Sequence, residues 1–146
     1  MRANGGTVAG TARSLTNVNT GTCLDDYQGN TANGASVDLW SCTGSTLQQF
    51  TVTSVGNGQY TLKNVNSGTC LDDYQSGLTN GTAADLWSCN GGANQNWSFI
   101  PVNGGNYLIV DQASGLCLDD PTFTKTNGVL VDLWTCNGGT NQQWHF

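Results

Sequence analysis

The chain repeats itself three times in a register that never slips. Its six cysteines form two series, Cys23/Cys70/Cys117 and Cys42/Cys89/Cys136, in which neighbouring members lie 47 residues apart. A unit of this length cannot bury its own apolar face, so the three copies have to share one core. We therefore predict a single domain over 1–146 built from repeats 6–52, 53–99 and 100–146, with 1–5 as an N-terminal tail or the end of a linker.

The sequence pattern within each repeat predicts about four short β-strands. Apolar residues alternate with polar ones near the start of the repeats, in Arg13-x-Leu15, Tyr60-x-Leu62 and Tyr107-x-Ile109. An Asn-Gly dipeptide follows in each copy, at Asn33-Gly34, Asn80-Gly81 and Asn127-Gly128, and is typical of hairpin turns because both residues tolerate positive φ. The expected fold is all-β. Three such repeats favour a pseudo-three-fold barrel capped by hairpins, a β-trefoil, because a propeller usually needs about four or more blades.

The cysteines predict a disulfide framework. Each repeat holds two cysteines 19 residues apart, none is left over, and no pair has the C-x₂-C spacing of a zinc site. The simplest pairing is one disulfide per repeat, namely Cys23–Cys42, Cys70–Cys89 and Cys117–Cys136, since any other connectivity breaks the three-fold equivalence. Disulfides persist in oxidising compartments, so we expect a secreted, extracellular protein.

The charge balance argues against nucleic acid and membranes as partners. The formal net charge is −6, and the cations Arg2, Arg13, Lys63 and Lys125 form no basic surface for phosphate groups. No apolar run reaches the roughly 18 residues of a membrane span. Residues 1–10 lack the apolar stretch of a signal peptide, so we expect any export signal to have been removed or to lie outside this sequence. Residues 1–5 and the Gly/Thr-rich stretch after them resemble the end of a linker, so we expect a longer protein to continue upstream.

The period of two along a strand separates a polar face from a core face. Asp25 shares a face with Cys23, and Asp38 and Trp40 share one with Cys42. If the two cysteines are bonded, carboxylate and indole meet on one side, while Leu24, Val37 and Leu39 form the core side. An aromatic ring beside fixed acceptors suits a neutral sugar, whose C–H face stacks on the ring while its hydroxyls bond the acceptors.

The acidic residues follow the repeat. All ten are Asp, and nine of them are the three copies of Asp25, Asp26 and Asp38; only Asp111 lies elsewhere. Acids placed only for solubility would not be confined to three equivalent positions. The copies at Asp26, Asp73 and Asp120 are explained equally well as turn acceptors and as ligand contacts.

These motifs resemble the ricin B-type lectin domain, also grouped as the family 13 carbohydrate-binding modules. Cys-Leu-Asp, Leu-Trp-x-Cys and Gln-x-aromatic recur in three copies over essentially the whole chain. The resemblance implies a β-trefoil that binds galactose-type or pentose-type sugars, glycans or plant polysaccharides through up to three shallow sites. Carried over, the contact residues are Asp25 and Trp40 in the first repeat, Asp72, Trp87 and Asn94 in the second, and Asp119, Trp134 and Asn141 in the third. Gln48, Gln95 and Gln142 are implied to be largely structural and to orient the aspartates.

The sequence departs from the family pattern at several site positions. Asp38, Asp85 and Asp132 stand where relatives often carry Gln, and we include them in the candidate sites together with Tyr27 and Tyr74. In the first repeat Leu47 replaces the site Asn. In the third repeat Pro121 replaces the tyrosine and should stiffen its loop. The second site is therefore the most complete, followed by the third and then the first.

We expect two sets of residues to differ in exposure to solvent. The first set alternates with core leucines and is expected to be exposed as sugar platforms; it consists of Trp40, Trp87 and Trp134. The second set is expected to lie in the core or at its edge; it consists of Phe50, Trp97 and Trp144, with Val52, Phe99 and Phe146 two residues further on.

Catalysis is not expected of this chain. A glycosidase needs two carboxyls about 5 to 10 Å apart across the scissile bond, whereas consecutive Asp residues point to opposite sides of a strand. His145 is the sole histidine, and no nucleophile motif surrounds it. We expect no cofactor and no metal, because calcium needs about six or more oxygen ligands, although paired Asp residues leave a structural cation open.

The expected function is non-catalytic carbohydrate binding. A protease inhibitor or another protein-binding trefoil that acts through one loop is the competing hypothesis. A third hypothesis, compatible with the first, makes this module the targeting part of a larger secreted glycoside hydrolase or toxin with its catalytic domain upstream.

Overall fold

A computed structural model describes residues 11–146 as fourteen β-strands joined by turns and short 3-10 helices. The first repeat contains β1 (Ala12–Arg13), β2 (Thr16–Asn17), β3 (Cys23–Asp26), β4 (Ala35–Trp40) and β5 (Phe50–Gly56). The second contains β6 (Gln59–Asn64), β7 (Cys70–Asp73), β8 (Thr82–Trp87) and β9 (Trp97–Val102). The third contains β10 (Asn106–Asp111), β11 (Cys117–Asp119), β12 (Val129–Leu130), β13 (Asp132–Trp134) and β14 (Trp144–His145). The 3-10 helices are Tyr27–Gly29, Thr46–Gln48, Tyr74–Ser76, Ala93–Gln95, Asn103–Gly105 and Thr140–Gln142. No helix in this range is long and apolar enough to cross a membrane.

The first and last strands of the repeats close a six-stranded barrel. Strands β5 and β6 form one antiparallel hairpin, and β9 and β10 form another. Strand β6 also pairs with β9, β10 with β14, β14 with β2, and β1 with β5, so the ladder returns to its start. In this barrel β1 and β2 are two parts of one interrupted strand.

Three further hairpins cap the barrel. They pair β3 with β4, β7 with β8, and β11 with β13. Their outer strands join one another around the pseudo-three-fold axis, because β4 pairs with β8, β8 with β13, and β12 with β4. The predicted all-β trefoil with about four strands per repeat is therefore confirmed. The exact boundaries of the repeats remain predictions, and residues 1–5 lie outside the described part of the chain.

The three repeats share one core. The first barrel strands contribute Leu15, Leu62 and Ile109, and the last contribute Phe50, Trp97 and Trp144, all fully buried. The buried indoles keep their N–H groups bonded, because Nε1 of Trp97 donates to the carbonyl of Leu71 and Nε1 of Trp144 to that of Leu118, each at 3.1 Å. Val52 is buried, and Phe99 and Phe146 pack half-buried against the cluster, as predicted.

The disulfides follow the symmetric pairing. Cys23–Cys42, Cys70–Cys89 and Cys117–Cys136 all form, each with Cα atoms 5.1 Å apart. Every bridge ties the first strand of a cap hairpin to the segment that follows its second strand. Closing a loop of this length stabilises the fold by about 3 kcal/mol, chiefly by restricting the unfolded chain.

The Asn-Gly dipeptides connect repeats instead of forming two-residue hairpin turns. Gly34 has a φ of 89°, in the left-handed region, and its N–H donates to the carbonyl of Leu86 in the next repeat at 2.8 Å. Asn33 Oδ1 accepts hydrogen bonds from the backbone N–H and the hydroxyl of Ser88, at 2.8 and 3.0 Å. The other two copies bond their neighbours in the same way, Asn80 to Thr135 and Asn127 to Ser41. The dipeptide therefore clamps each cap hairpin to its neighbour.

Candidate functional site

Each repeat has one open pocket beside its cap hairpin. The second pocket, of about 180 Å³, is lined by Asp72, Tyr74, Gln75, Trp87, Asn90 and Asn94. The third, of about 190 Å³, is lined by Asp119, Pro121, Phe123, Trp134, Asn137 and Asn141. The first, of about 330 Å³, is lined by Asp25, Tyr27, Gln28, Trp40, Thr43, Ser45, Leu47 and Gln48. The structure thus brings the predicted aspartate, aromatic and Asn residues together in equivalent places, except that Leu47 stands in for Asn in the first pocket.

The tryptophan of each pocket is exposed. Trp40, Trp87 and Trp134 are 41%, 39% and 43% exposed, whereas the leucine before each of them is buried in the core. The alternation arises because strands β4, β8 and β13 turn one face to the barrel and the other to solvent. Each indole therefore offers a flat apolar face, as the platform prediction requires.

In the second pocket a network of amides holds the aspartate. Asn94 Nδ2 donates to Asp72 Oδ2 at 3.1 Å and Gln95 Nε2 donates to the same oxygen at 2.9 Å. Both amides make further bonds: Gln95 Nε2 also donates to Ser88 O and its Oε1 accepts the N–H of Asn90, while Asn94 Nδ2 also donates to the carbonyl of Asp73. Asp72 is only 4% exposed, so the network fixes the direction of its carboxylate.

The third pocket repeats this network. Asn141 Nδ2 donates to Asp119 Oδ1 at 2.9 Å, and Gln142 Nε2 donates to the same oxygen at 3.0 Å. Its loop differs as predicted for Pro121, because residues 121–128 form no counterpart of the 3-10 helices that begin at the two pocket tyrosines. Phe123 takes a φ of 61° in this loop and is 59% exposed at the pocket.

The first pocket lacks these amide bonds. Leu47 has no polar side-chain group, and Gln48 Nε2 donates to Ser41 O at 3.0 Å. Within residues 11–146, neither side chain donates to Asp25. The Asp25 carboxylate is therefore the least constrained of the three.

The glutamines of the Gln-x-aromatic motif are buried next to the pocket aspartates. Gln48, Gln95 and Gln142 are at most 1% exposed and lie behind the aspartates. Each Oε1 accepts the backbone N–H of the residue after the second cysteine, at 2.8 to 2.9 Å. This arrangement agrees with an orienting role, and only Gln48 also lines its pocket.

The second aspartates, which we included in the candidate sites, do not line the pockets. Asp38, Asp85 and Asp132 sit directly opposite Asp25, Asp72 and Asp119 on the paired strands. They share the polar face, but Asp38 and Asp85 are at most 3% exposed, Asp132 is half-buried, and none of the three lines its pocket. Only the first aspartate of each pair reaches the pocket, although Asp132 is more exposed than Asp119.

These opposed carboxyls share protons. Burial, followed by the like charge of the facing aspartate, raises the pKa of Asp38, Asp85 and Asp132 to about 8. Burial also raises the pKa of Asp72, against the hydrogen bonds from Asp85, Gln95 and Asn94. Near neutral pH the carboxyls of Asp38, Asp85 and Asp132 therefore keep their protons.

Asp26, Asp73 and Asp120 are fully buried and face away from the pockets. Asn66 Nδ2 donates to Asp26 Oδ2 at 3.2 Å, and burial raises the pKa of Asp26 to about 6. Asp120 Oδ1 accepts the N–H of Thr122 at 3.2 Å, as a turn acceptor does. Burial and the adjacent Asp111 carboxyl together raise the pKa of Asp73 to about 8. Asp120 therefore acts as a turn acceptor, whereas Asp26 and Asp73 each lie beside a side chain of the next repeat.

Some pocket residues were not identified from the sequence. Asn90 and Asn137 line the second and third pockets directly after the second cysteine, and Thr43 takes the same place in the first. Their shared position after a cysteine was the available signal. Phe123 has no counterpart in the other repeats, so no pattern indicated it.

The carboxyl pairs do not form a catalytic or metal-binding arrangement. A glycosidase acid and base must both face the scissile bond, whereas only one aspartate of each pair lines its pocket. Within residues 11–146, no three His, Cys, Asp or Glu side chains are grouped so that they hold a metal ion.

Comparison with known families identifies the chain's relatives. The model of the ricin-type β-trefoil lectin domain matches residues 11–144. The chain belongs to this family. Ricin-type lectin domains are carbohydrate-binding modules without catalytic machinery, and carbohydrate binding is the general activity that follows. A comparison with curated proteins gave no match.

Three solved structures show the extent of the likeness. The designed three-fold symmetric protein ThreeFoil is 32% identical with a TM-score of 0.89, covering 91% of this chain and 95% of ThreeFoil. The exo-β-1,3-galactanase 1,3Gal43A from Clostridium thermocellum is 34% identical with a TM-score of 0.89, covering 92% of this chain. The Rhizoctonia solani agglutinin is 25% identical with a TM-score of 0.85, covering 94% of each chain. This ricin-type domain corresponds to only 29% of the galactanase.

Proposed function

We propose that this ricin-type domain binds neutral galactose-type or pentose-type sugars of glycans or plant polysaccharides through its three pockets. The observation that carries the proposal is the pairing of an exposed indole with a buried carboxyl group in each pocket. In the second pocket Trp87 is 39% exposed while Asp72 is held by two amides. An indole face stacks on the C–H side of a pyranose, and a fixed carboxylate accepts hydrogen bonds from its hydroxyls.

Each site should bind weakly by itself. The pockets are open and solvated, so we expect single-site dissociation constants from roughly millimolar to tens of micromolar. Three sites on one rigid barrel gain apparent affinity when a polysaccharide offers several sugars at once. We rank the second site first, the third next and the first last for unsubstituted sugars, because only the second and third have the Asn and Gln donors on their aspartate.

We further propose that the domain acts outside the cell and targets an attached catalytic domain to its substrate. The disulfide in every repeat supports an oxidising compartment. The likeness to a part of a longer β-1,3-galactanase supports a modular parent and a galactose-containing polysaccharide.

A titration with matched variants tests the sugar-binding proposal. Galactose, lactose, xylo-oligosaccharides and arabino-oligosaccharides are titrated into the oxidised protein by calorimetry. Trp87→Ala should weaken binding at the second site about tenfold or more, because it removes the stacking surface. Ile100→Ala, which truncates an exposed side chain on the barrel strand β9, should leave binding unchanged. Absence of heat across the whole panel would contradict the proposal and favour a protein-binding trefoil.

A further inference from the structure

The first pocket differs from the other two in chemistry. At the position of Asn94 and Asn141, which donate to their aspartates, it has Leu47. The Leu47 side chain is half-buried and lines the pocket together with the rings of Tyr27 and Trp40. The first pocket is therefore lined by three largely apolar side chains. In the second pocket the amide of Asn94 takes the place of the leucine.

The first pocket is also larger. Its volume is about 330 Å³, against about 180 and 190 Å³ for the others. Gly29, two positions after Tyr27, is equivalent to Ser76 in the second repeat and to Phe123 in the third. A Cβ built on Gly29 would lie 3.4 Å from Leu47 Cδ2, an ordinary van der Waals contact, so the two residues are neighbours at the edge of the first pocket.

The polar groups of this pocket still suit a sugar. Asp25 remains at the base as an acceptor, and the hydroxyl-bearing Thr43 and Ser45 lie on one side. An unsubstituted hexose would place a hydroxyl against Leu47 without a partner, which costs binding free energy. A methyl group in the same place would instead be removed from water.

We propose that the first pocket selects sugars that carry a methyl group beside the ring, either as a 6-deoxy carbon or in an acetamido substituent, while the second and third pockets take unsubstituted sugars. The inference rests on the proposed sugar-binding function and assigns Leu47 as the residue that determines specificity. Burying one methyl group on Leu47 predicts an affinity gain of about three- to fivefold at this pocket.

The indole Nε1–H resonances of Trp40, Trp87 and Trp134 report the three pockets separately in an NMR titration. The oxidised protein is titrated with D-galactose, 6-deoxy-D-galactose and N-acetyl-D-galactosamine. Trp40 should respond at lower concentrations of at least one methyl-bearing sugar than of galactose, whereas Trp87 and Trp134 should show no such preference. The two methyl-bearing ligands distinguish a 6-deoxy from an acetamido source of the methyl group.

Two exchanged variants complete the test. Leu47→Asn should abolish the preference at Trp40, and Asn94→Leu should weaken galactose binding at Trp87, each with a dispersed spectrum and unchanged shifts in the other repeats. The reciprocal design keeps the test decisive if one variant fails to fold. Equal response of Trp40 to all three sugars, while Trp87 responds to galactose, would overturn this inference alone. Silence of all three indoles would overturn it together with the proposed function.

Discussion

The carboxyl of Asp85 is a buried acid next to the second pocket. It faces Asp72 across the paired strands, and neither of its oxygens finds an N–H or O–H donor among the described residues. One proton between the two carboxyls relieves the repulsion, which is why burial and the facing aspartate raise the pKa of Asp85 to about 8. At higher pH the site loses this proton, and two negative charges face each other in a buried place.

Asp85→Asn should stabilise the protein at alkaline pH. The amide donates to the Asp72 carboxylate without taking up a proton, so at pH 9 the variant should gain about 1–3 kcal/mol in the free energy of unfolding. At pH 4 the wild-type pair is protonated and the gain should nearly vanish. Denaturant unfolding at both pH values measures the difference. Asp132→Asn is the matched control and should gain less, because Asp132 is half-buried. An equal gain at both pH values would contradict the proton-sharing account.

At the scale of elements, the junction between the second and third repeats departs from symmetry. Strand β2 ends with Asn17 and β6 with Asn64, and each donates to a carbonyl of the neighbouring repeat at 3.0 Å. Strand β10 ends instead with Asp111, which has no amide donor and lies beside the buried Asp73. At this junction the pair of carboxyls from Asp73 and Asp111 therefore replaces the hydrogen bond that joins the repeats at the other two junctions.

Asp111→Asn should strengthen this junction. It restores the donor found in the other repeats and removes the carboxyl that raises the pKa of Asp73. We expect a gain of about 1–2 kcal/mol in unfolding free energy at neutral pH. Asn64→Asp, which introduces the same defect between the first and second repeats, should lose a similar amount. Both are measured by urea denaturation, and a loss in Asp111→Asn would show that the carboxyl pair is the more stable arrangement.

The Asn-Gly clamps join the cap hairpins and also support the pockets. Asn80 Oδ1 accepts from the N–H and hydroxyl of Thr135 at 2.7 and 2.9 Å. The carbonyl of Thr135 in turn accepts from Gln142, which orients the aspartate of the third pocket. Asn80→Ala should therefore cost about 1–2 kcal/mol of stability and weaken binding at Trp134 more than at Trp87. The stability loss is read from urea denaturation and the site effect from NMR titration; equal weakening at both sites would contradict the coupling.

At the scale of the whole molecule, the buried aspartates set the pH dependence of stability. The pKa values of Asp38, Asp73, Asp85 and Asp132 are raised to about 8 and that of Asp26 to about 6, from 3.8. The folded state therefore holds more protons than the unfolded state between these limits. The stability from this proton uptake is fully present below about pH 4 and is lost as the pH rises through 6 to 8.

The thermal midpoint should accordingly fall between pH 5 and pH 9. Calorimetric scans at constant ionic strength measure it, and the decrease should shrink when Asp85→Asn and Asp111→Asn are combined. A midpoint that rises or stays constant over this range would contradict the raised pKa values.

The sequence alone predicted the parts of this fold that depend on the repeat. The spacing of the cysteines indicated both the trefoil and the disulfides, and the alternation of Trp87 with Leu86 predicted one exposed ring and one core side chain. Strand periodicity could not tell that Asp72 lines the pocket whereas Asp85 does not, because both share a face and only packing decides which carboxyl reaches the opening. Nor could it show that Asn33 bonds the next repeat, since that contact depends on how the hairpins meet around the axis.

The most direct test of the central claim uses the five tryptophans of the chain. Three of them, Trp40, Trp87 and Trp134, are exposed in the pockets, and two, Trp97 and Trp144, are buried in the core with bonded indole N–H groups. Their five indole Nε1–H resonances are followed by NMR while a panel of galactose-type and pentose-type oligosaccharides is titrated in. The account predicts saturable shifts of the pocket indoles, strongest at Trp87 for unsubstituted sugars, with the core indoles unmoved. No saturable shift of any pocket indole with any of these sugars would contradict it.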